Sequence, residues 1–158
     1  MIRALVGAGA NLDARSRFDD DHDSCTPLHV AALSSKSGDV IRALVKAGAD
    51  VDARDDIQRT PLHLAASKNQ CAVEMLIENG ANVNLLNKYS ASPLFIAARC
   101  FNEWAVTALC EAGADPHLGW NPLEHPAVYW TMQSLIRQHL SLSPLPAPSF
   151  PKPYFFPN

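Results

Sequence analysis

The chain has 158 residues, 47% of them hydrophobic, and a formal net charge of -3 at neutral pH. This length fits one domain with a continuous core, and the near-neutral charge disfavours a nucleic-acid binder, which needs a concentrated basic surface. No apolar run approaches the roughly 20 residues that cross a bilayer, so we expect no membrane interaction. Residues 1–6 lack the basic start and long apolar stretch of a secretory signal, which favours the cytoplasm or the nucleus.

Two short phrases recur in step along the chain. The first is Ala-Gly-Ala-Asn at 8–11, with close copies at 47–50, 79–82 and 112–115, whose glycines are 39, 32 and 33 residues apart. The second is Thr-Pro-Leu-His at 26–29 and 60–63, with Ser-Pro-Leu-Phe at 92–95. Each copy of the second phrase is followed by Ala-Ala. Linked phrases with a period near 33 residues predict a repeat architecture.

Residues 60–80 indicate how one unit should fold. Thr60 can accept a free backbone amide at a helix start, and Pro61 has no amide to leave unpaired. Apolar side chains then mark a short inner helix (Leu62, Ala65, Ala66) and an outer helix (Val73, Leu76, Ile77). Gly80 supplies the left-handed conformation that ends the pair. Because one helical pair cannot cover its own apolar face, neighbouring units must stack.

These phrases resemble those of the ankyrin repeat family, and we place the repeats at 1–118, as a partial first repeat followed by about three full ones. The resemblance implies an all-α ankyrin-repeat solenoid of stacked helix-turn-helix units with β-hairpin-like loops. It also implies that His29 and His63, in the second phrase, are structural hydrogen-bonding residues. Phe95 takes that place in the third full repeat, where we expect more hydrophobic and less hydrogen-bonded packing.

Three segments depart from the pattern. Residues 1–10 match only the outer half of a repeat, so we expect them to fray. About five extra residues around the acidic run Asp19 to Asp23 predict a longer hairpin finger, which is a solvated loop, an acidic contact loop or a weak cation site. At the hairpin tips Gln58 and Ser90 replace the usual glycine, which puts the idealised turn in doubt.

The pattern shortens after residue 118. Residues 119–142 predict a degenerate repeat or a capping C-terminal helix, marked by Val128, Met132, Leu135, Ile136 and Leu140. Six of the last 18 residues are proline, so residues 143–158 should form an extended or disordered Pro-rich tail. The Pro-Leu-Pro-Ala-Pro stretch at 144–148 also has the pattern of a ligand for an SH3 or WW domain, although no basic residue flanks it closely.

Residues 133–137 and 144–146 faintly resemble the C-terminal box of the ankyrin repeat and SOCS box proteins, which recruits a ubiquitin ligase. The leucine-cysteine-arginine signature of that box is absent. This resemblance implies an alternative function, the substrate-recognition part of a cullin-type E3 ubiquitin ligase adaptor whose recruiting box is lost or degenerate.

The sequence contains no motif of a reaction centre. It has no Gly-x-Ser-x-Gly, phosphate-binding glycine loop, His-Glu-x-x-His or Cys-x-x-Cys, so we expect no catalysis, no cofactor and no metal. A zinc site at His22, Cys25 and His29 would lack a fourth ligand. The four cysteines are spread along the repeats rather than clustered and are interpreted as reduced thiols: Cys25, Cys71, Cys100 and Cys110.

The remaining function is binding of another protein. The resemblance implies a concave face built from hairpin tips and inner helices, which binds through its shape and a few anchor residues. It also implies the contact positions, namely Arg54, Asp56, Ile57, Arg59, Ser67 and Lys68 in one repeat and Leu86, Lys88, Tyr89, Ala91, Arg99 and Cys100 in the next.

Tyr89, Arg59 and Arg99 are the preferred anchors within that set. Tyrosine and arginine combine a large contact area with directional hydrogen bonds. We therefore expect alanine at Tyr89 or Arg59 to weaken binding without unfolding the stack. The partner's identity stays open, and we expect the chain itself to be a monomer.

Overall fold

The computed structural model describes residues 11–17, 24–34, 38–119 and 134. Several predictions concern residues outside this part of the chain. They are the fraying of residues 1–10, the acidic insertion at 18–23 and, apart from Gly119 and Ser134, the capping helix and the proline-rich tail.

Three helical pairs follow one short hairpin. Strand β1 (Ser16–Arg17) pairs antiparallel with β2 (Ser24–Cys25), and Ser16 lies opposite Cys25. The inner helices are α1 (Pro27–Leu33), α3 (Pro61–Lys68) and α5 (Pro93–Arg99). The outer helices are α2 (Gly38–Lys46), α4 (Gln70–Glu78) and α6 (Glu103–Glu111). The predicted all-α stack of helix-turn-helix units is confirmed.

Each inner helix begins at the proline that the sequence predicted. The preceding residue is extended in every case, with ψ of 163° at Thr26, 165° at Thr60 and 162° at Ser92. Proline fits the first helical position because its missing amide would have no partner there and its fixed φ is already helical. The threonine or serine and the proline together therefore start the helix at the same place in each repeat.

Each outer helix is followed by a glycine in the left-handed region. The φ values are 101° at Gly48, 86° at Gly80 and 85° at Gly113. At the second of these, the Gly80 N–H donates to the Ile77 carbonyl and the Ala81 N–H to the Leu76 carbonyl, both at 3.0 Å. These bonds satisfy carbonyls at the helix end, so the prediction that Gly80 terminates the helical pair is confirmed.

The helices stack in two rows. Helix α3 packs against α1 and α5, and α4 packs against α2 and α6, whereas α1 and α5 share no contact. Equivalent positions of the three repeats are buried in one continuous core, including Leu28, Leu62 and Leu94 in the inner row and Ile41, Val73 and Val106 in the outer row. Burying one leucine contributes about 2 kcal/mol. Because the apolar face of each helical pair is covered by the neighbouring pairs, most of the stability lies between neighbouring repeats.

A ladder of polar side chains links the connections between repeats. In the segment after each outer helix, a backbone N–H donates to a side-chain oxygen of the preceding such segment. The Asp50 N–H donates to Asp13 at 3.1 Å, the Asn82 N–H to Asp52 at 3.0 Å, and the Asp115 N–H to Asn84 at 2.8 Å. Burial raises the pKa of the Asp52 carboxyl, although the Asn82 N–H favours its charged form. The ladder therefore links each connection to the next by a side-chain hydrogen bond.

Two asparagines tie the outer helices α4 and α6 to the preceding repeat. The Asn69 Oδ1 accepts the Ala72 N–H at the start of α4, while its Nδ2 donates to the carbonyls of Ala32 and Ser34. Asn102 does the same for α6 and donates to the Ala66 carbonyl at 3.1 Å. Sequence analysis missed this pair, although the two asparagines stand 33 residues apart before matching helices. Their position at the period of the repeat was the available signal.

The two histidines link the inner helices α1 and α3 to the next hairpin. The His63 Nδ1 lies 3.1 Å from the Thr60 N and 2.9 Å from its hydroxyl, and the Nε2 lies 3.0 Å from the Ala91 carbonyl oxygen. His29 makes the same contacts to Thr26 and to the Arg59 carbonyl. Because a backbone N–H can only donate and a carbonyl can only accept, Nδ1 is the acceptor and Nε2 carries the proton.

In the third repeat, Phe95 replaces the histidine. Its backbone N–H donates to the Ser92 hydroxyl at 3.1 Å, and its ring is buried. A phenyl ring cannot bond the next hairpin as an imidazole does.

The hairpin tips keep a regular turn without glycine, so the doubt raised by Gln58 and Ser90 was wrong. Both residues are left-handed, with φ of 62° and 56°. The Gln58 N–H donates to the Asp55 carbonyl and the Ser90 N–H to the Asn87 carbonyl, each at 3.0 Å. The turn therefore forms despite the cost of a side chain in this conformation, because hydrogen bonds on either side of it hold the chain.

Candidate protein-binding surface

The second and third hairpin tips carry most of the residues that the sequence predicted for binding. They are residues 54–59 and 86–91, and we call them, together with helices α1, α3 and α5 and the C-cap residue of each, the inner surface. Helices α2, α4 and α6 form the outer surface.

A buried carboxylate organises the second tip. The Asp55 side chain is 0% exposed, and its Oδ1 accepts the N–H of Ile57 at 3.1 Å and of Arg59 at 2.7 Å. Its Oδ2 lies 2.6 Å from the Arg59 Nε, so the arginine also neutralises the carboxylate. The prediction that Arg59→Ala leaves the stack folded stays a prediction, and the contact adds a cost in stability, because this change would leave a buried charge without its partner.

An amide replaces that carboxylate in the third tip. The Asn87 Oδ1 accepts the N–H of Tyr89 at 2.9 Å and of Ala91 at 3.0 Å. No arginine is needed here because the amide is neutral. Ala91 itself is buried and its carbonyl bonds His63, so the prediction that Ala91 contacts a partner was wrong.

Neighbouring tips are bonded to each other. The Lys88 N–H donates to the Ile57 carbonyl at 2.9 Å, and the Arg54 Nη1 donates to the Leu86 carbonyl at 3.0 Å. On the other side, Asp56 accepts the Ser24 N–H at 3.1 Å and lies 3.7 Å from the Arg15 guanidinium. These bonds join the described tips into one edge, in which Arg54 and Asp56 have structural contacts as well as exposed area.

Tyr89 stands out from this edge. Its side chain is 72% exposed, while its backbone is held by Asn87 within the turn. Ile57, at the equivalent place in the second tip, is half-buried. The tyrosine is thus a rigidly mounted aromatic side chain that covers little of the fold.

The C-terminal ends of the inner helices add a second row of exposed side chains. Lys68 and Arg99 lie in the last turns of α3 and α5, and the Arg99 guanidinium sits 5.9 Å from the centre of the Phe95 ring. Phe101, which follows Arg99 and Cys100, is 66% exposed, and Leu33 at the end of α1 is 59% exposed. Sequence analysis missed Phe101 and Leu33, although both are large apolar residues at the predicted helix ends.

Charge is divided between the two surfaces. The inner surface carries five basic side chains, Arg54, Arg59, Lys68, Lys88 and Arg99, and two acidic ones, Asp55 and Asp56. The outer surface carries the reverse, five acidic side chains at Asp39, Glu74, Glu78, Glu103 and Glu111 and two basic ones at Arg42 and Lys46. The inner surface, as defined by these described residues, therefore has a net positive charge.

The titratable groups of the described residues form no reaction centre. Burial lowers the pKa of His63 to about 4 and also lowers that of His29, and both rings are occupied by structural hydrogen bonds. Burial raises the pKa of the Cys110 thiol to about 11. Among the described residues, no group of three histidine, cysteine or acidic side chains is placed to hold a metal ion. No helix in this part of the chain has the length and apolar character needed to span a bilayer.

Comparisons with known proteins agree with the fold. A family model for ankyrin repeats in three copies matches residues 54–120, and a single ankyrin repeat model matches residues 23–56. The chain is 32% identical over 117 residues to the human transient receptor potential cation channel subfamily A member 1, covering 68% of this chain and 10% of that protein. Its Caenorhabditis elegans homolog is 39% identical over 148 residues, covering 89% and 12%.

A third relative is the human ankyrin repeat and MYND domain-containing protein 1, which is 30% identical over 125 residues, covering 75% of this chain and 13% of that protein. The chain thus spans between 10% and 13% of the length of these relatives. The family models together match residues 23–120, and the helix pairs and hairpins of the structure follow the same repeats. The chain belongs to the ankyrin repeat family.

Proposed function

We propose that the chain is a non-catalytic module that binds a segment of another protein across the inner surface. Proteins with ankyrin repeats generally mediate protein–protein interactions. The observation that carries the proposal is the mounting of Tyr89, which is 72% exposed on a turn whose backbone is fixed on both sides. A rigid aromatic side chain provides contact area with little loss of conformational entropy on binding.

The proposal extends to the other predicted contact residues. Arg99, Lys68 and Lys88 provide exposed charge on the inner surface, whereas Arg59 supports the tip through Asp55. Ile57, Arg54 and Asp56 would contribute the parts of their surface that the fold leaves open.

The same proposal includes a monomeric chain in the cytoplasm or nucleus, with repeats at 1–118, a degenerate repeat or capping helix at 119–142 and a tail at 143–158. Exposed thiols at Cys71 and Cys100 fit a reducing compartment. The alternative as a ubiquitin ligase adaptor depends on residues 133–137 and 144–146, of which the structure describes Ser134 alone.

A binding experiment with matched variants tests this function. The full chain would be immobilised and exposed to cell extract, in parallel with Tyr89→Ala and with Glu78→Ala, an exposed change on the outer surface. We expect proteins that the original chain and Glu78→Ala retain equally but Tyr89→Ala retains about fivefold to thirtyfold less, as for an anchor worth about 1–2 kcal/mol. Equal retention of every protein by all three chains would contradict the proposal.

A further inference from the structure

Four of the five cations on the inner surface form no ion pair with a described residue. Among the described residues, Arg59 pairs with Asp55 and Arg15 with Asp56. Arg54 is half-buried and bonds the Leu86 carbonyl, while Lys68, Lys88 and Arg99 form no ion pair. All three are exposed. The outer surface, by contrast, has five acidic side chains and two basic ones, so among the described residues its net charge is opposite in sign to that of the inner surface.

Helix electrostatics explain part of this arrangement. Lys68 and Arg99 lie in the last turns of α3 and α5, where a cation interacts favourably with the helix dipole. Lys88 lies in a hairpin tip, beyond any helix end, and the equivalent residue of the second tip is Asp56. The fold therefore does not require a cation at position 88.

The three cations are close enough to meet one short peptide. Helix α5 has seven residues and is about 10 Å long, and the residues between Lys88 and Pro93 add to the distance between Lys88 and Arg99. Neighbouring packed helices such as α3 and α5 lie about 8–10 Å apart, and Lys68 and Arg99 occupy their matching ends. An extended chain covers such distances in about three or four residues.

We propose that the partner segment is acidic and carries at least one aromatic or aliphatic side chain. This inference rests on the function proposed above and specifies the chemistry of its ligand. Carboxylates would face Lys68, Lys88 and Arg99, while the apolar side chain would pack on Tyr89 or Phe101, which are 72% and 66% exposed. Complementary charge selects the partner and speeds its association, and the aromatic contact holds it.

A peptide selection can test this chemistry without a known partner. Random 12-residue peptides displayed on phage would be selected against the full 158-residue chain, and the enriched peptides synthesised with a fluorescent label. Their dissociation constants would be measured by fluorescence polarisation at about 50 mM and about 500 mM salt, which shortens the Debye length from about 14 Å to about 4 Å.

Charge-reversal variants show whether the three cations are responsible. The triple variant Lys68→Glu, Lys88→Glu and Arg99→Glu should bind the enriched peptides at least about tenfold more weakly, because each reversal replaces an attraction with a repulsion. The matched control is Lys46→Glu, the same change on the outer surface, and it should alter affinity less than about twofold. Thermal melts of each variant would verify that the stack remains folded.

The possible outcomes distinguish this inference from the proposed protein-binding function on which it rests. Enriched peptides rich in aspartate and glutamate that weaken with added salt and with the triple variant would support the inference. Peptides without acidic enrichment that still lose affinity with Tyr89→Ala would overturn it while leaving the protein-binding function in place. Peptides insensitive to every inner-surface change, or failure to enrich any peptide, would overturn both. Tighter binding of a labelled 20-nucleotide single-stranded DNA than of any peptide would also overturn the inference, since the basic surface would then be reading phosphates.

Discussion

The second and third repeats place different side chains on the same backbone framework. In the second, His63 bonds the next hairpin, and the ion pair of Asp55 with Arg59 organises the tip. In the third, Phe95 and the neutral Asn87 occupy the matching positions, and the turn and helices keep the same form. The comparison shows two requirements of the fold. A side-chain oxygen must accept the backbone N–H groups of the tip, and a ring must occupy the position of His63 and Phe95. Neither requirement needs a charged residue.

The comparison also separates structure from binding. The charged residues of the second tip are engaged within the fold, since Arg59 neutralises Asp55 and Arg54 bonds the Leu86 carbonyl. In the third tip Lys88 and Tyr89 are exposed, and the backbone is held by the Asn87 side chain and by the bond from the Lys88 N–H to the Ile57 carbonyl. The third repeat is therefore better suited to contact a partner.

The largest expected effect is a loss of stability in acid that comes from the first two repeats. Burial lowers the pKa of His63 from 6.5 to about 4, so between these values the unfolded chain binds the proton that the folded chain excludes. The free energy of unfolding should then fall as the pH drops from about 6.5 to 4, by roughly 3 kcal/mol from His63. The pKa of His29 is also lowered by burial, so its contribution has the same sign.

Urea unfolding at a series of pH values would measure this loss. His63→Phe makes the second repeat resemble the third, so it should flatten the pH dependence even if it costs stability at pH 7. His117→Gln, a change at an exposed histidine, is the matched control and should leave the slope as it was. An unchanged slope in His63→Phe would show that other groups cause the acid sensitivity.

A smaller effect is expected from breaking the ion pair of the second tip. Arg59→Ala leaves the buried Asp55 carboxylate with backbone donors alone, and we expect it to lower the free energy of unfolding by about 2 kcal/mol. Adding Asp55→Asn reproduces the Asn87 and Ala91 pair of the third tip, so the double variant should recover most of that loss. Denaturant midpoints of the single and double variants would measure the coupling, and no recovery would mean that the buried charge is not the cause.

Most of the fold was readable because its signals are local and repeated. Threonine or serine before proline marked the inner helix starts, and Gly48, Gly80 and Gly113 marked the outer helix ends. The tie made by Asn69 and Asn102 was missed because it joins residues of different repeats, which one unit considered alone cannot show. A self-alignment that tracked polar residues would have found it.

The binding surface was predictable to a lesser degree. Position within the repeat correctly selected exposed residues such as Tyr89 and Lys88, but it also selected Ala91, which is buried. The role of Arg59 depends on its 2.6 Å contact with Asp55, and a distance of this kind follows from the turn geometry, which the sequence does not state. The division of charge emerges once each side chain is assigned to the inner or outer surface.

The smallest expected effect concerns the turn that both tips share. Gln58 and Ser90 hold positive φ, which costs an L-residue roughly 1–2 kcal/mol, whereas glycine adopts this conformation freely but has more entropy to lose on folding. Gln58→Gly and Ser90→Gly should therefore each raise the free energy of unfolding by about 0.5–1 kcal/mol, measured by urea titration. Glu74→Gly, at an exposed position inside α4, should instead lower it by about 1 kcal/mol, because a helical residue gains nothing from glycine. A loss of stability in both tip variants, as in Glu74→Gly, would mean that the left-handed conformation imposes no strain. The hydrogen bonds on either side of the turn would then be sufficient to explain why two different residues are tolerated at its centre.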